Sequence, residues 1–311
     1  MRGIKFHANR CGYAQSMRML ACLLLVSMLR ADEQTQKMTA RVSEEAEAFM
    51  RLAPEVLGTE TLHQKALKPP GRFRPRAGTA ALSAPAPEWK EREIVSEYGF
   101  TAFSGASGAI HELRRVISVD GHKVDDTKKA QDALAKVITA SDDARKKDML
   151  RQFEKYGLTG AATDFGQLIL LFARRSLERY EFTQRGTRML GDVPVLTFAY
   201  KLLDGKEALT LIDGNQKDQT ARLGIEGEIW VRADSYVPVR ITLTASRGDG
   251  IASIREEAAV DYAMSEYGAV LPVGTAHREL HGGTVTVENH FTYAGFRKFG
   301  ASSDVKVDVA K

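Results

Sequence analysis

Two runs of period-two alternation meet in residues 223–246, LGIEGEIWVRADSYVPVRITLTAS, and they restrict what this chain can fold into. In the first run Gly227, Ile229 and Val231 share one face, while Glu226, Glu228 and Arg232 share the other. After a turn containing Pro238, Val239, Ile241 and Leu243 lie opposite Arg240, Thr242 and Thr244. Strands that alternate in this way have one dry face and one wet face. The pattern predicts a curved antiparallel sheet whose dry concave face must be covered or filled.

The same rhythm continues on both sides. From Tyr180 onward, segments near 180–185, 193–203, 206–212, 222–232, 239–246, 252–262, 270–280 and 284–295 read as strands. Short turns separate them, among them Asp213-Gly214-Asn215, Gly248-Asp249-Gly250 and Gly282-Gly283. Such spacing predicts an up-and-down meander, and no internal repeat suggests a solenoid or propeller. Upstream, 91–103 and 110–119 read as two further strands, with Leu113, Arg115, Ile117 and Val119 alternating against Glu112, Arg114 and Ser118.

Three helices are expected between the two groups of strands. One spans 128–139 with Leu134, Val137 and Ile138 on one face. A second follows an N-cap at Ser141 and runs to about Tyr156, with Met149, Leu150 and Phe153 inward. The third starts at Thr163 and is apolar nearly all round (Phe165 and residues 168–172), so it should lie buried across the dry concave face. The expected fold class is therefore α+β: an incomplete antiparallel β-barrel with helices covering the concave face.

The N-terminus carries a different signal. Residues 19–29 form an apolar run of 11, preceded by Arg2, Lys5, Arg10 and Arg18 with no acid before Asp32. This is the layout of a secretory signal peptide over 1–31, with a cut after Ala31 and with Met17 as an alternative start. The run is too short to span a bilayer, which takes about 20 residues. Removing 1–31 leaves 39 basic against 40 acidic residues, so the formal charge moves from +4 to −1. The basic balance then belongs to the leader, and nucleic acid is not an expected partner. Both cysteines, Cys11 and Cys22, also lie in the leader, which leaves no thiol chemistry in the mature chain.

After the leader, a helical segment is expected over 32–67, with Val42, Ala46, Phe49 and Met50 on one stripe of residues 41–52. Residues 68–88 hold five of the nine prolines and read as a linker. The half-barrel domain is expected over 89–300, with its helical insertion at 126–178 and a tail at 301–311.

The hairpin EGEIWVRADSYVPVRI, with its W-V-x-x-x-x-x-x-P-x-R spacing from Trp230 to Arg240, resembles the periplasmic lipoprotein-carrier superfamily, the outer-membrane lipoprotein-sorting and sigma-factor-regulator-like proteins. The likeness in character runs from Leu223 to about Phe299. The phrases GAATDFGQLILLF and EGEIWV also look like a group of exported proteins of soil bacteria. The resemblance implies an open half-barrel with helices over its mouth, binding acyl chains without catalysing a reaction. The long helical insertion and the Pro-rich arm depart from the small carriers.

Few residues suggest chemistry. His277, Glu279 and His281 would share one side of a strand, with Glu288 and His290 on the next, a pattern that can gather a metal. Exposed polar residues on the wet face are the plainer reading, so no metal is assigned. Asp164-Phe165-Gly166 spells a kinase tripeptide without a phosphate loop or catalytic loop, and Thr163 or Asp164 reads instead as a helix N-cap. Asp213–Asp218 lacks the spacing of a calcium loop. Arg174, Arg175 and Arg179 suit a helix C-terminus or a lipid phosphate.

Shape is the stronger signal. Ile229, Val231, Ile241, Leu243, Val285, Val287, Phe291 and Tyr293 would line one cavity or form one filled core, and the pattern alone leaves both open. The leading expectation is an exported, non-enzymatic protein without cofactor that holds an apolar ligand, a lipid or an acylated protein, in a half-barrel. The alternative is an envelope protein-interaction or sensor module with a closed core and a protein partner. A metal-dependent enzyme ranks last.

Overall fold

The structure, a computed structural model, describes residues 11–67, 87–103, 110–158, 164–203, 209–211, 219–221, 224–248 and 253–299. Side chains are described from Asp32 onward, except at 154, 209–211, 219–221 and 247. In chain order the elements are α1 (Cys11–Leu52), β1 (Val56–Leu67), β2 (Trp89–Ala102), β3 (Ile110–Val119), β4 (His122–Lys123), α2 (Thr127–Ile138) and α3 (Asp143–Glu154). Then come β5 (Tyr180–Leu190), β6 (Val193–Leu202), β7 (Leu209–Leu211), β8 (Gln219–Ala221), β9 (Gly224–Arg232), β10 (Pro238–Arg247), β11 (Ile254–Met264), β12 (Val270–His281) and β13 (Thr284–Lys298).

Eleven of these strands form one curved antiparallel sheet that does not close, in the order β4-β3-β2-β1-β13-β12-β11-β10-β9-β6-β5. The alternating hairpin at its heart pairs as the pattern requires, with Ile241 opposite Ile229 and both fully buried. From β9 to β13 each strand pairs with the next, which is the expected meander. The exception is β7 and β8, which leave the sheet as a separate two-stranded ribbon, so that β6 pairs directly with β9.

The largest difference from expectation lies at 56–67, read from sequence as helical. Helix α1 stops at Leu52, a short 3-10 turn at Ala53–Glu55 carries Pro54, and a twelve-residue strand follows. Proline suits the first turn of a helix but blocks its interior, so the chain turns here. Strand β1 alternates buried Glu60, Leu62, Gln64 and Ala66 with more exposed Thr61, His63 and Lys65. It sits mid-sheet between β2 and β13, joining the first strands of the chain to the last. Most of the Pro-rich stretch (68–86), the turn at 104–109, the acidic turn at 212–218 and the tail from 300 lie outside the described residues.

What covers the concave face also differs. Thr163, where an α-helix was expected to start, lies outside the described residues, and residues 164–172 hold no α-helix. The apolar run forms instead a five-residue 3-10 helix, Leu168–Phe172, followed by a second, Arg174–Arg179. Leu168, Ile169 and Phe172 are buried. Helix α1 lies against this segment and seats Met38, Val42, Ala46 and Phe49 in the core, all with no exposure. Their spacing of four, four and three is the apolar stripe of an amphipathic helix. Met50, expected on that stripe, is only partly buried. No helix among the described residues is long and apolar enough to cross a membrane.

Helices α2 and α3 cover the end of the sheet. Asp126 caps α2, accepting from the Lys128 and Lys129 amides, and Asp142, one residue after the expected Ser141, caps α3, accepting from the Ala144 amide. Leu134, Ile138 and Met149 pack on Leu57 and Leu113 on the convex side, while Phe153 reaches the concave core.

Candidate functional site

The concave face has two halves of different chemistry. On β9 and β10, Ile229, Val231, Ile241 and Leu243 are at most 3% exposed. Beside them on β6 stand Phe198 and Tyr200, and above them the 3-10 segment inserts Phe172, whose ring meets Tyr200 edge-on at 4.9 Å. The half is an apolar bed with an apolar plug in it. On β13, three strands beyond β10, Phe291 and Tyr293 belong to the same continuous core. Val287 is buried outside that core, and Val285 is half-buried near the turn. Six of the eight residues share one core, on strands that β11 and β12 separate in the sheet order.

The second half, under β3, β2, β1 and β13, is a buried ionic cluster. Arg114 donates from Nε and Nη2 to both oxygens of Glu60, at 2.6 and 2.7 Å, and from Nη2 to Glu112 at 2.6 Å. All three side chains are at most 1% exposed. The guanidinium lies within 6 Å of the Tyr98, Phe153 and Phe291 rings, an arrangement that favours a cation. Burial pushes the Glu60 carboxyl above its usual range against the pull of Arg114, and raises the Tyr98 and Tyr293 phenols well above theirs. Burial alone would lower Arg114, but Glu60 and Glu112 hold it well above its usual value.

Glu112 ties this cluster to the plug. Its Oε1 accepts from the Tyr98 hydroxyl at 2.8 Å and the Gly166 amide at 2.7 Å, and its Oε2 from Arg114 and the Asp164 amide at 2.9 Å. The Glu112 amide donates back to Asp164 Oδ1 at 2.8 Å, and Asp164 Oδ2 meets His111 Nδ1 at 3.0 Å. Asp164 holds a left-handed φ of 72°, a conformation in which a short polar side chain can bond locally. The tripeptide expected to cap a helix thus straps the cover onto β3. A second anchor follows: Tyr262 donates to the Gly166 carbonyl at 3.0 Å and accepts from the Ile169 amide at 3.1 Å.

The histidine group does not assemble. His277 was expected on a wet face, but it is 1% exposed, stacked on Phe165 and bonded to Glu256 at 2.6 Å and Asn289 at 3.0 Å. His281 pairs with Glu279 near the Gly282-Gly283 turn, and His290 points from the opposite face of the sheet. Arg174 and Arg175 line an open surface cleft with Glu47 and Met50, and the Arg174 amide donates to Glu47 at 3.3 Å.

With this geometry the chain is similar to three solved structures. One is described as an outer membrane lipoprotein-sorting protein domain from Vibrio parahaemolyticus (10% identity, 85% of this chain and 93% of that one, TM-score 0.34). Another is a DUF1329 family protein from Desulfovibrio piger (8%, 85% and 94%, TM-score 0.36). The third is a LolA superfamily protein from Nitrosomonas europaea (9%, 83% and 92%, TM-score 0.29). No family model matches the chain, and no curated protein matches it. The lipoprotein-sorting resemblance seen in the sequence recurs among these structures. At such identities and TM-scores they add no ligand and no site residue.

Sequence reasoning missed the ionic cluster for two reasons. Glu112 and Arg114 alternate with Leu113, which suggested a wet face, yet both faces of β3 are covered. Their partner Glu60 sat in a segment read as helix. The usable signal was Glu60, Leu62, Gln64 and Ala66 at period two.

Proposed function

We propose that the protein is an exported, non-enzymatic binding protein whose apolar half of the concave face takes an acyl chain of a lipid or lipoprotein when its own plug gives way. One observation carries this reading: a five-residue 3-10 helix buries Leu168, Ile169 and Phe172 in the same core as the apolar residues of β6, β9 and β10, with the Phe172 ring against Tyr180, Phe182 and Tyr200. Hydrocarbon can replace such contacts in kind, because burying each methylene is worth about 0.8 kcal/mol whatever molecule carries it. The polar anchors of this segment, Glu112 and Tyr262, lie at or before its first turn. Ile229, Val231, Ile241 and Leu243 would line the space vacated, and Phe291, Tyr293, Val285 and Val287 would continue it toward β13.

Export rests on the basic-then-apolar leader. A cut after Ala31 would start the mature helix on Asp32 and Glu33, and acids are favoured at a helix N-terminus.

A second reading, the closed-core interaction module with an envelope partner, is favoured by the dense filling of the concave face in this structure. The test is the intact native mass of the protein purified from its own envelope, with organic extraction of what travels with it. A lipid-sized adduct, or one gained on incubation with phospholipid vesicles, is expected. A bare chain under both conditions overturns the binding reading in favour of the closed module.

A further inference from the structure

The convex face carries rows of side chains that cross the strands. One row is ionic throughout: Glu91, Lys65, Glu288, Arg278 and Glu257 stand opposite one another on β2, β1, β13, β12 and β11. Lys65 lies 3.6 Å from Glu91, and Arg278 lies 2.8 Å from Glu257. Cross-strand neighbours of opposite charge explain that row. The row beside it does not follow the rule. There Glu93, His63 and His290 stand opposite one another on β2, β1 and β13, and Ala276 follows on β12. Two histidines directly opposed on antiparallel strands put their Cβ atoms about 5 Å apart on one face. Both are exposed, and they share one open cleft of about 440 Å³ with four acids, Glu93 and Glu288 among them, and two cations, Lys65 and Arg92.

We propose that His63 and His290 form a surface site for a borderline divalent cation, Cu²⁺ or Zn²⁺, bridging β1 and β13. Imidazole nitrogen suits these ions, and Cu²⁺ binds a given nitrogen and oxygen set more tightly than Zn²⁺. The orientation of His63 fits a ligand. Its Nδ1 is turned toward Glu93 Oε2, 3.6 Å away, which leaves Nε2 on the side of the ring away from that carboxylate. A carboxylate hydrogen-bonded to the non-ligating nitrogen fixes tautomer and ring orientation in protein metal sites, and Glu93 would do so here by closing the 3.6 Å gap. Ala276 offers no side chain to crowd His290, and Glu288 supplies a second carboxylate at the rim.

No three such side chains are already gathered around one point among the described residues, so water completes the coordination. His63, at 58% side-chain exposure, is free to adjust. The site would staple the seam where the first strands of the chain meet the last. That differs from the acyl-binding face in location and in ligand.

The test is titration of the purified full chain with CuSO₄ and ZnCl₂, with His63→Asn, His290→Asn, Glu93→Gln and His281→Asn variants beside it. One Cu²⁺ per chain is expected, bound more tightly than Zn²⁺ and more weakly as pH is lowered, because protons compete for the imidazoles. Each of His63→Asn and His290→Asn should weaken binding at least tenfold, and Glu93→Gln by about tenfold, while His281→Asn leaves it unchanged. Cu²⁺ should also raise the thermal midpoint of the wild type and not of the His63→Asn/His290→Asn double variant. Either no stoichiometric metal on the wild type, or binding that survives in the double variant, overturns the site.

Discussion

Replacing Glu112 with glutamine tests the strap, because all four groups around this carboxylate are donors. The Tyr98 hydroxyl and the Gly166 amide point at Oε1, and Arg114 Nη2 and the Asp164 amide point at Oε2. Glutamine offers one acceptor. Its oxygen must take the Oε2 position, where both donors are fixed, and its NH₂ then faces Tyr98 and Gly166. The hydroxyl can rotate to accept, but the Gly166 N–H has no such freedom. A buried N–H left unpaired costs about 1–3 kcal/mol. The two bonds that survive lose charge assistance, about 1 kcal/mol each. Relief of the repulsion between Glu112 and Glu60 offsets about 1–2 kcal/mol. A net destabilisation of about 2–3 kcal/mol is expected from urea denaturation at pH 7, against about 3–5 kcal/mol for Glu112→Ala, which leaves Arg114 half-paired. Amide exchange at Asp164 and Gly166 should speed up more than at β9 or β10. A Glu112→Gln variant within about 0.5 kcal/mol of wild type, the scatter of ordinary surface changes, would refute the strap.

Three further outcomes follow from the same contacts. Gly227→Ala should cost at least about 1–3 kcal/mol in chemical denaturation, since a Cβ there would stand 2.1 Å from the Thr242 carbonyl oxygen and 2.9 Å from the Tyr200 ring. Phe172→Ala should cost about 3–5 kcal/mol and open an apolar cavity in the bed, so that xenon or benzene partly restores the thermal midpoint; no response to either probe would count against a replaceable plug. The hydrogen bond that His111 donates to Asp164 holds its imidazole above its usual 6.5, against burial, so the pair stabilises fully below that value and the gain is lost as pH rises through the folded-state value. The thermal midpoint of wild type should therefore exceed that of His111→Phe by more at pH 5.5 than at pH 8.5, and a gap that does not change with pH would refute the coupling.

The meander was legible because each of its strands has one face in the core and one in water. Ile229 against Glu228, or Ile241 against Arg240, states this residue by residue. Helices α2 and α3 were legible from apolar spacing, and α3 also from an N-cap one residue from the expected Ser141. The pattern failed where both faces are buried or where length was misleading. Glu112 and Arg114 on one side of β3 and Leu113 on the other are all buried, so polarity no longer reports exposure. Residues 168–172 are as apolar as a core helix, yet the Tyr262 and Glu112 anchors hold the chain in a tighter turn than α. Strand β1 was lost because a helical stripe precedes it with only the 3-10 turn at Ala53–Glu55 between. With it went Glu60 and His63, the residues that complete the ionic cluster and the histidine pair.

The two halves of the concave face place any apolar ligand on one side. Near β3 and β1 an acyl chain would have to displace the 164–166 strap, leaving Glu112 with only Tyr98 and Arg114 to satisfy it in a dry interior. A buried charge that loses partners costs several kcal/mol, which a few methylenes at about 0.8 kcal/mol each do not recover. Over β6, β9 and β10 the same chain would replace Leu168, Ile169 and Phe172, and no charge would change partner. On the proposed reading the ionic cluster would hold the fixed end of the cover, and residues 168–172 would be its movable end. A lipid that enters this protein is expected to contact Ile229 and Ile241 before it comes near Phe291.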